Sequence, residues 1–163
     1  MIGQDSFRIV AWMMGYVGAA SWMKVSILVV PLAISIMYFY LKRHELDLLL
    51  SGDEEAHSLG LNVGKLKKNM LVISSLIVGF SVAFTGMIGF VGLIVPHTIR
   101  LIAKSSSNTK LIPLSTLGGG LFLLVCDTIG RTVLNPVEIP IGVVTAFFGA
   151  PFFLYLAIRR RGV

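Results

Sequence analysis

Charged side chains are scarce in this chain of 163 residues: Asp, Glu, Lys and Arg together make up 13%, about half the ~25% usual in a soluble domain. With 55% hydrophobic residues and a mean hydropathy of +0.86, that scarcity excludes an ordinary water-soluble fold and points to a membrane protein. Cysteine is nearly absent too. Cys126 is the only one, so no internal disulfide and no cysteine-built metal site is available, and a small buried apolar role is expected for it. Acidic residues number 8 against 14 basic ones. The basic residues fall in short clusters between apolar runs, which argues against nucleic acid and for cytoplasmic anchoring of membrane helices. Nor does the chain contain a Gly-Lys-Ser/Thr phosphate loop, a His-Glu-x-x-His pair or a nucleophile elbow. No catalytic apparatus is recognisable, and ATP binding through a Walker A loop is excluded.

What is present is a series of six apolar stretches: 7–20, 25–41, 70–87, 88–102, 111–134 and 139–158. A straight membrane span needs about 20 residues, with roughly 17–25 tolerated. The second, third, fifth and sixth stretches qualify. The first and fourth are short and could cross only with help from neighbours, or be re-entrant. Arg8, the apolar run from Ile9 and Gly18-Ala19-Ala20 loosely mimic a signal peptide, but Asp5, Trp12, Tyr16 and Trp22 suit an uncleaved membrane segment better. Six crossings with a cytoplasmic N-terminus place twelve basic residues inside and only Lys24 and Arg131 outside. That asymmetry is what the positive-inside tendency favours, so the C-terminus is expected in the cytoplasm.

The one long hydrophilic interruption, 42–69, lies inside in this arrangement. Ser51-Gly52-Asp53-Glu54-Glu55 reads as a helix start with acidic residues in the first turn, and Leu59-Gly60 as its stop. A second short turn, 63–68, is expected to feed the next membrane helix. Within the fifth stretch, Asp127 lies one helical turn from Arg131, so an ion pair near the outer boundary is natural. Either this pair is structural, or it steadies an outward-facing Arg131 for an acidic partner. Glu138-Ile139-Pro140 opens the last helix well, Pro151 should kink it, and Gly142, Gly149 and Ala150 offer a small-residue packing face. His97 has no second ligand at metal spacing, so a satisfied histidine near the inner boundary is expected and no metal site.

Four motifs carry a resemblance. Trp12-Met13-Met14-Gly15, the run 52–60 (GDEEAHSLG), the run 89–97 (GFVGLIVPH) and the run 138–146 (EIPIGVVTA) ending in 149–153 (GAPFF) stand in the order and spacing of the FecCD family. These are the BtuC-like permeases of ABC importers for iron-siderophores, haem and vitamin B12. The resemblance covers essentially the whole sequence but only the second half of the family pattern. It implies an all-α, polytopic transmembrane bundle of about six membrane segments, matching helices five to ten of ten. One partial permease domain would cover 1–163, with a cytoplasmic coupling segment at 42–69.

The resemblance further implies roles. Gly52, Asp53, Glu54, Glu55, Ala56, Ser58, Leu59 and Gly60 are similar to the coupling helices gripped by the ATPase subunit. Arg131 matches a docking position for the extracytoplasmic substrate-binding protein. Trp12, Met13, Met14 and Gly15 match the helix bordering the translocation path. Structural roles fall to Asp127, Gly89, Gly92, Pro96, Pro140 and Pro151, the 86–96 region being a tightly packed bend. ATP belongs to the partner ATPase, and this chain binds no cofactor of its own. The other implied partners are a second permease copy and the bilayer of the cell membrane. A truncated, non-transporting membrane remnant or assembly protein is the competing reading, and an intramembrane enzyme using His97 and Asp127 a remote third.

Overall fold

The computed structural model describes residues 2–161, and side chains except those of residues 2–5, 7, 160 and 161. Among the described residues the chain forms eight α-helices and no strand. These are α1 (Ile2–Met13), α2 (Trp22–Leu41), α3 (Arg43–Leu49), α4 (Asp53–Ser58), α5 (Val63–Thr85), α6 (Val91–Ala103), α7 (Asn108–Thr132) and α8 (Ile141–Arg161). The all-helical bundle matches expectation. Helices α2, α5, α7 and α8 are long and apolar enough to cross a membrane. The other two apolar helices are short: α1 has 12 residues and α6 has 13. At about 1.5 Å per residue, neither reaches the ~30 Å of a hydrocarbon core.

Inside the chain, little apolar surface is hidden. Cys126, Ile141 and Val144 form a small core between α7 and α8, with Val17, Ile88, Phe122 and Ile139 packed around it. Cys126 is fully buried, as its apolar character suggested. By contrast Trp22, Leu71, Leu76, Leu117, Phe147 and Ile158 are each more than two-thirds exposed. In water such surface drives aggregation; in lipid, or against other membrane helices, it is the normal exterior of a bundle.

The short helices have local causes. Helix α4 starts at Gly52 (φ +117°) with Asp53, Glu54 and Glu55 in its first turn. It ends in a Schellman arrangement: the Leu61 N–H donates to the Ala56 carbonyl (3.1 Å), the Gly60 N–H to that of His57 (3.0 Å), and Gly60 sits at φ +88°. The expected separate turn at 63–68 does not exist. Asn62 Oδ1 accepts the Lys65 N–H (3.0 Å), so a single 23-residue helix runs from Val63 to Thr85. The extra short helix is instead α3, directly after α2.

Candidate functional site

The chain divides its polar chemistry between two ends of the bundle. At one end lie α3, α4, the start of α5 and the start of α7, with Lys42, Arg43, Lys65, Lys67, Lys68, Lys104 and Lys110 around them. At the other lie the ends of α5 and α7, the start of α8 and the 14–21 loop.

Helix α4 shows its acidic face outward. Asp53, Glu54, Glu55, His57, Ser58 and Leu59 are exposed, whereas Ala56 is fully buried. A larger residue at 56 would push α4 off the bundle. Lys67 on α5 donates to Asp53 from the side across an exposed pair, and the Ser58 hydroxyl turns back onto the Glu55 carbonyl (2.7 Å). Glu54 and Glu55 therefore project from a short helix that is capped at its end and seated on the bundle by the buried Ala56. Such a surface suits a protein groove that carries positive charge.

Behind α4, α3 is fastened to α7 by a residue that the sequence reading passed over. The Asp47 carboxylate accepts the Asn108 backbone N–H (2.7 Å) and the Asn108 side-chain amide (2.7 Å) on Oδ1, and the Ser107 hydroxyl (3.1 Å) on Oδ2. Burial pushes this carboxyl's pKa up, but the Asn108 and Ser107 donors outweigh it and hold the group below its usual value. The available signal was weak: an Asp amid the leucines of Leu46-Asp47-Leu48-Leu49-Leu50 is costly unless it finds partners.

At the opposite end Arg131 Nε donates to Asp127 Oδ2 (2.8 Å), one helical turn apart as expected. The arginine is 43% exposed and its partner 29%, so the pair orients Arg131 without hiding it. Pro140 immediately precedes α8, and the Ile139 N–H reaches back to the Gly130 carbonyl (2.9 Å), tying the hairpin between α7 and α8.

At this same end three glycines meet. Gly15 (φ +80°) is buried, accepts the Ile141 N–H on its carbonyl (3.0 Å), and lies where a Cβ would stand 2.7 Å from the Met87 carbonyl oxygen. A Cβ on Gly86 (φ +71°) would stand 1.8 Å from the Trp12 carbonyl oxygen, and one on Gly142 2.1 Å from that of Met14. The Tyr16 N–H donates to the Thr85 carbonyl (3.0 Å) beside them. In the 12–15 motif, then, Gly15 and two carbonyls form the crossing, while Trp12, Met13 and Met14 leave about half their side-chain surface exposed.

The bend of the 86–96 region is made by Gly86 and by Phe90, a non-glycine residue at φ +67°. Gly89 and Gly92 have no atom within 4 Å of an added Cβ among the described residues. Close packing falls instead on Gly149, whose Cβ would strike the Phe90 ring. Pro96 lies inside α6 and Pro151 inside α8. His97 stacks edge-on against Phe152 at 5.6 Å, linking the same two helices. Among the described residues no three His, Cys, Asp or Glu side chains gather as a metal site.

These features follow a known pattern. The model of the FecCD transport family matches residues 2–159. The chain belongs to the FecCD transport family. Among FecCD relatives, the hemin transport system permease HmuU of Yersinia pestis is 42% identical over 153 residues, covering 92% of this chain and 45% of that protein. The vitamin B12 import system permease BtuC of Vibrio cholerae is 40% identical over 156 residues, covering 94% and 46%. A solved inward-facing conformation of a metal-chelate type ABC transporter is similar at a TM-score of 0.84 and 34% identity, covering 93% of this chain and 49% of that one. The FecCD chain thus spans just under half the length of the relatives it matches. Its family and its four long apolar helices make it a multi-pass membrane protein.

Proposed function

We propose that this chain forms the second half of the permease subunit of an ABC importer, acting on iron-siderophore, haem or vitamin B12-type cargo. In this reading the permease works as a dimer in the cell membrane, with its C-terminus in the cytoplasm. A separate ATPase subunit grips α4 through Glu54 and Glu55, and ATP stays on that subunit. An extracytoplasmic binding protein docks at Arg131, and the path is bordered by the exposed side chains of Trp12, Met13 and Met14. The observation that carries the reading is the two-ended bundle: an exposed acidic helix at the lysine-rich end and a steadied arginine at the other. ATP-driven closure of the motor would move α4, and packed helices would pass that movement on as a rigid body. The names of the hemin and vitamin B12 permeases support the class of cargo.

The test is co-purification. Reversing both charges, Glu54→Lys with Glu55→Lys, should lower recovery of the ATPase subunit at least tenfold while leaving the thermal stability of the permease within a few degrees. Full recovery of the ATPase by the reversed variant would refute the assignment of α4.

A further inference from the structure

Helix α7 begins without a cap of its own. Ser107 stands at its N-cap position, yet the serine side chain makes no capping hydrogen bond. Its hydroxyl donates away from the helix, to Asp47, sixty residues earlier in the chain. The same carboxylate takes the Asn108 N–H, one of the donors that an α-helix leaves unpaired in its first turn. A negative group at this position also complements the helix dipole. Asp47 is therefore the cap of α7, supplied from α3.

The placement of Asp47 gives this cap a second consequence. It sits near the end of α3, and only Leu50, Ser51 and Gly52 separate α3 from α4. Those three residues are themselves hydrogen-bonded back onto α3: the Leu50 N–H onto Asp47, the Ser51 N–H onto Leu48 and the Gly52 N–H onto Leu49 (3.1–3.2 Å). The segment from α3 to α4 is thus a compact unit with no slack loop. On its far side, α7 runs without interruption for 25 residues, about 37 Å, and carries Asp127 and Arg131 in its last turns. One helix connects the Asp47 carboxylate at the lysine-rich end to the arginine at the other.

We propose that Asp47 is a positioning residue for coupling: its carboxylate ties the α3–α4 unit to the first turn of α7, so that displacement of α4 moves α7 and the Arg131 surface. This rests on the transport reading above. Fastening through a carboxylate with three donors resists both sliding and tilting of α3 against α7. A packed apolar contact would resist mainly separation. Lys67–Asp53 joins α4 to α5 through an exposed pair, so without Asp47 a push on α4 reaches α7 only through the packing of α3 and α2 against it.

The experiment uses the complete transporter, the full permease to which this chain contributes its second half together with the ATPase, in membranes. In a Cys126→Ala background, Val133→Cys places a thiol just beyond α7 at a position 61% exposed. The rate of labelling by a membrane-impermeant maleimide is measured with and without ATP and vanadate. With Asp47 present, trapping the closed ATPase should change the labelling rate at least threefold. Asp47→Ala should abolish that change while the ATPase still co-purifies, and Asp47→Glu should restore part of it. Asp47→Asn, which keeps one acceptor oxygen, guards against a variant that fails to fold. A merely structural role would lower recovery of the whole complex and leave the response of the surviving complexes intact. Should Asp47→Ala and Asp47→Asn respond like the native chain, or the native complex show no response at position 133, the proposal is overturned. Failure of the native permease to recover any ATPase would instead bring down the transport reading, and the proposal with it.

Discussion

Two glycines six positions apart have opposite demands on them. Gly86 combines a positive φ with a backbone oxygen 1.8 Å from where a Cβ would sit, whereas Gly92 lies in α6 with nothing within 4 Å among the described residues. Gly86→Ala should therefore destabilise the protein by at least about 2 kcal/mol, because both strain and overlap with unyielding backbone must be relieved. Gly92→Ala should change stability by less than about 1 kcal/mol, helix propensity favouring the alanine. Melting temperatures in detergent compare the two, and equal losses would contradict the packing described at the glycine crossing. Sequence could not separate these residues. Both stand in one glycine-punctuated run, and what distinguishes them is the Trp12 carbonyl, brought in from more than seventy positions away. The Asp127–Arg131 pair was legible because it depends only on helix pitch. Its energy is modest: both partners are partly exposed, and such pairs give about 0.3–1 kcal/mol. Asp127→Asn should lower the melting temperature by no more than a few degrees and weaken any docking at Arg131 far more. A large collapse of stability would show the pair to be structural.

The same division runs through whole elements. Both bounds of α4 could be read from the sequence because its start and stop are local: acidic residues in the first turn, and a glycine whose φ of +88° completes the cap. Gly60→Ala should cost about 1 kcal/mol, seen as faster hydrogen exchange of the α4 amides. Helix α3 was missed, since its leucines blend into the flanking apolar run and its defining partner, Asn108, is sixty-one residues away. That partnership predicts an acid signature. The folded pKa of Asp47 lies below its unfolded value of about 3.9. Its stabilisation, about 1–2 kcal/mol as for other helix caps, is present in full well above the unfolded pKa and disappears as the pH falls through the folded pKa. The melting temperature of Asp47→Asn should therefore trail the native protein at pH 7 and converge with it as the pH falls through the folded pKa. A gap of constant size would remove Asp47 from the capping role.

At the scale of the molecule, apolar composition and the spacing of long stretches sufficed for an all-helical membrane bundle, because burying twenty-odd apolar residues at a time leaves few alternatives. They did not suffice for the number of crossings. Stretches of marginal length become helices of 12 and 13 residues, and the segments joining them to the bundle are held by close approaches at Gly15, Gly86 and Gly142. The two-ended arrangement is the claim on which motor, docking surface and coupling all depend, and thiol accessibility in sealed right-side-out vesicles tests it directly. In a Cys126→Ala background, Arg131→Cys should react with a membrane-impermeant maleimide before the vesicles are opened, and Glu55→Cys only afterwards. Reaction of Glu55→Cys in sealed vesicles, or protection of Arg131→Cys until lysis, would contradict the account.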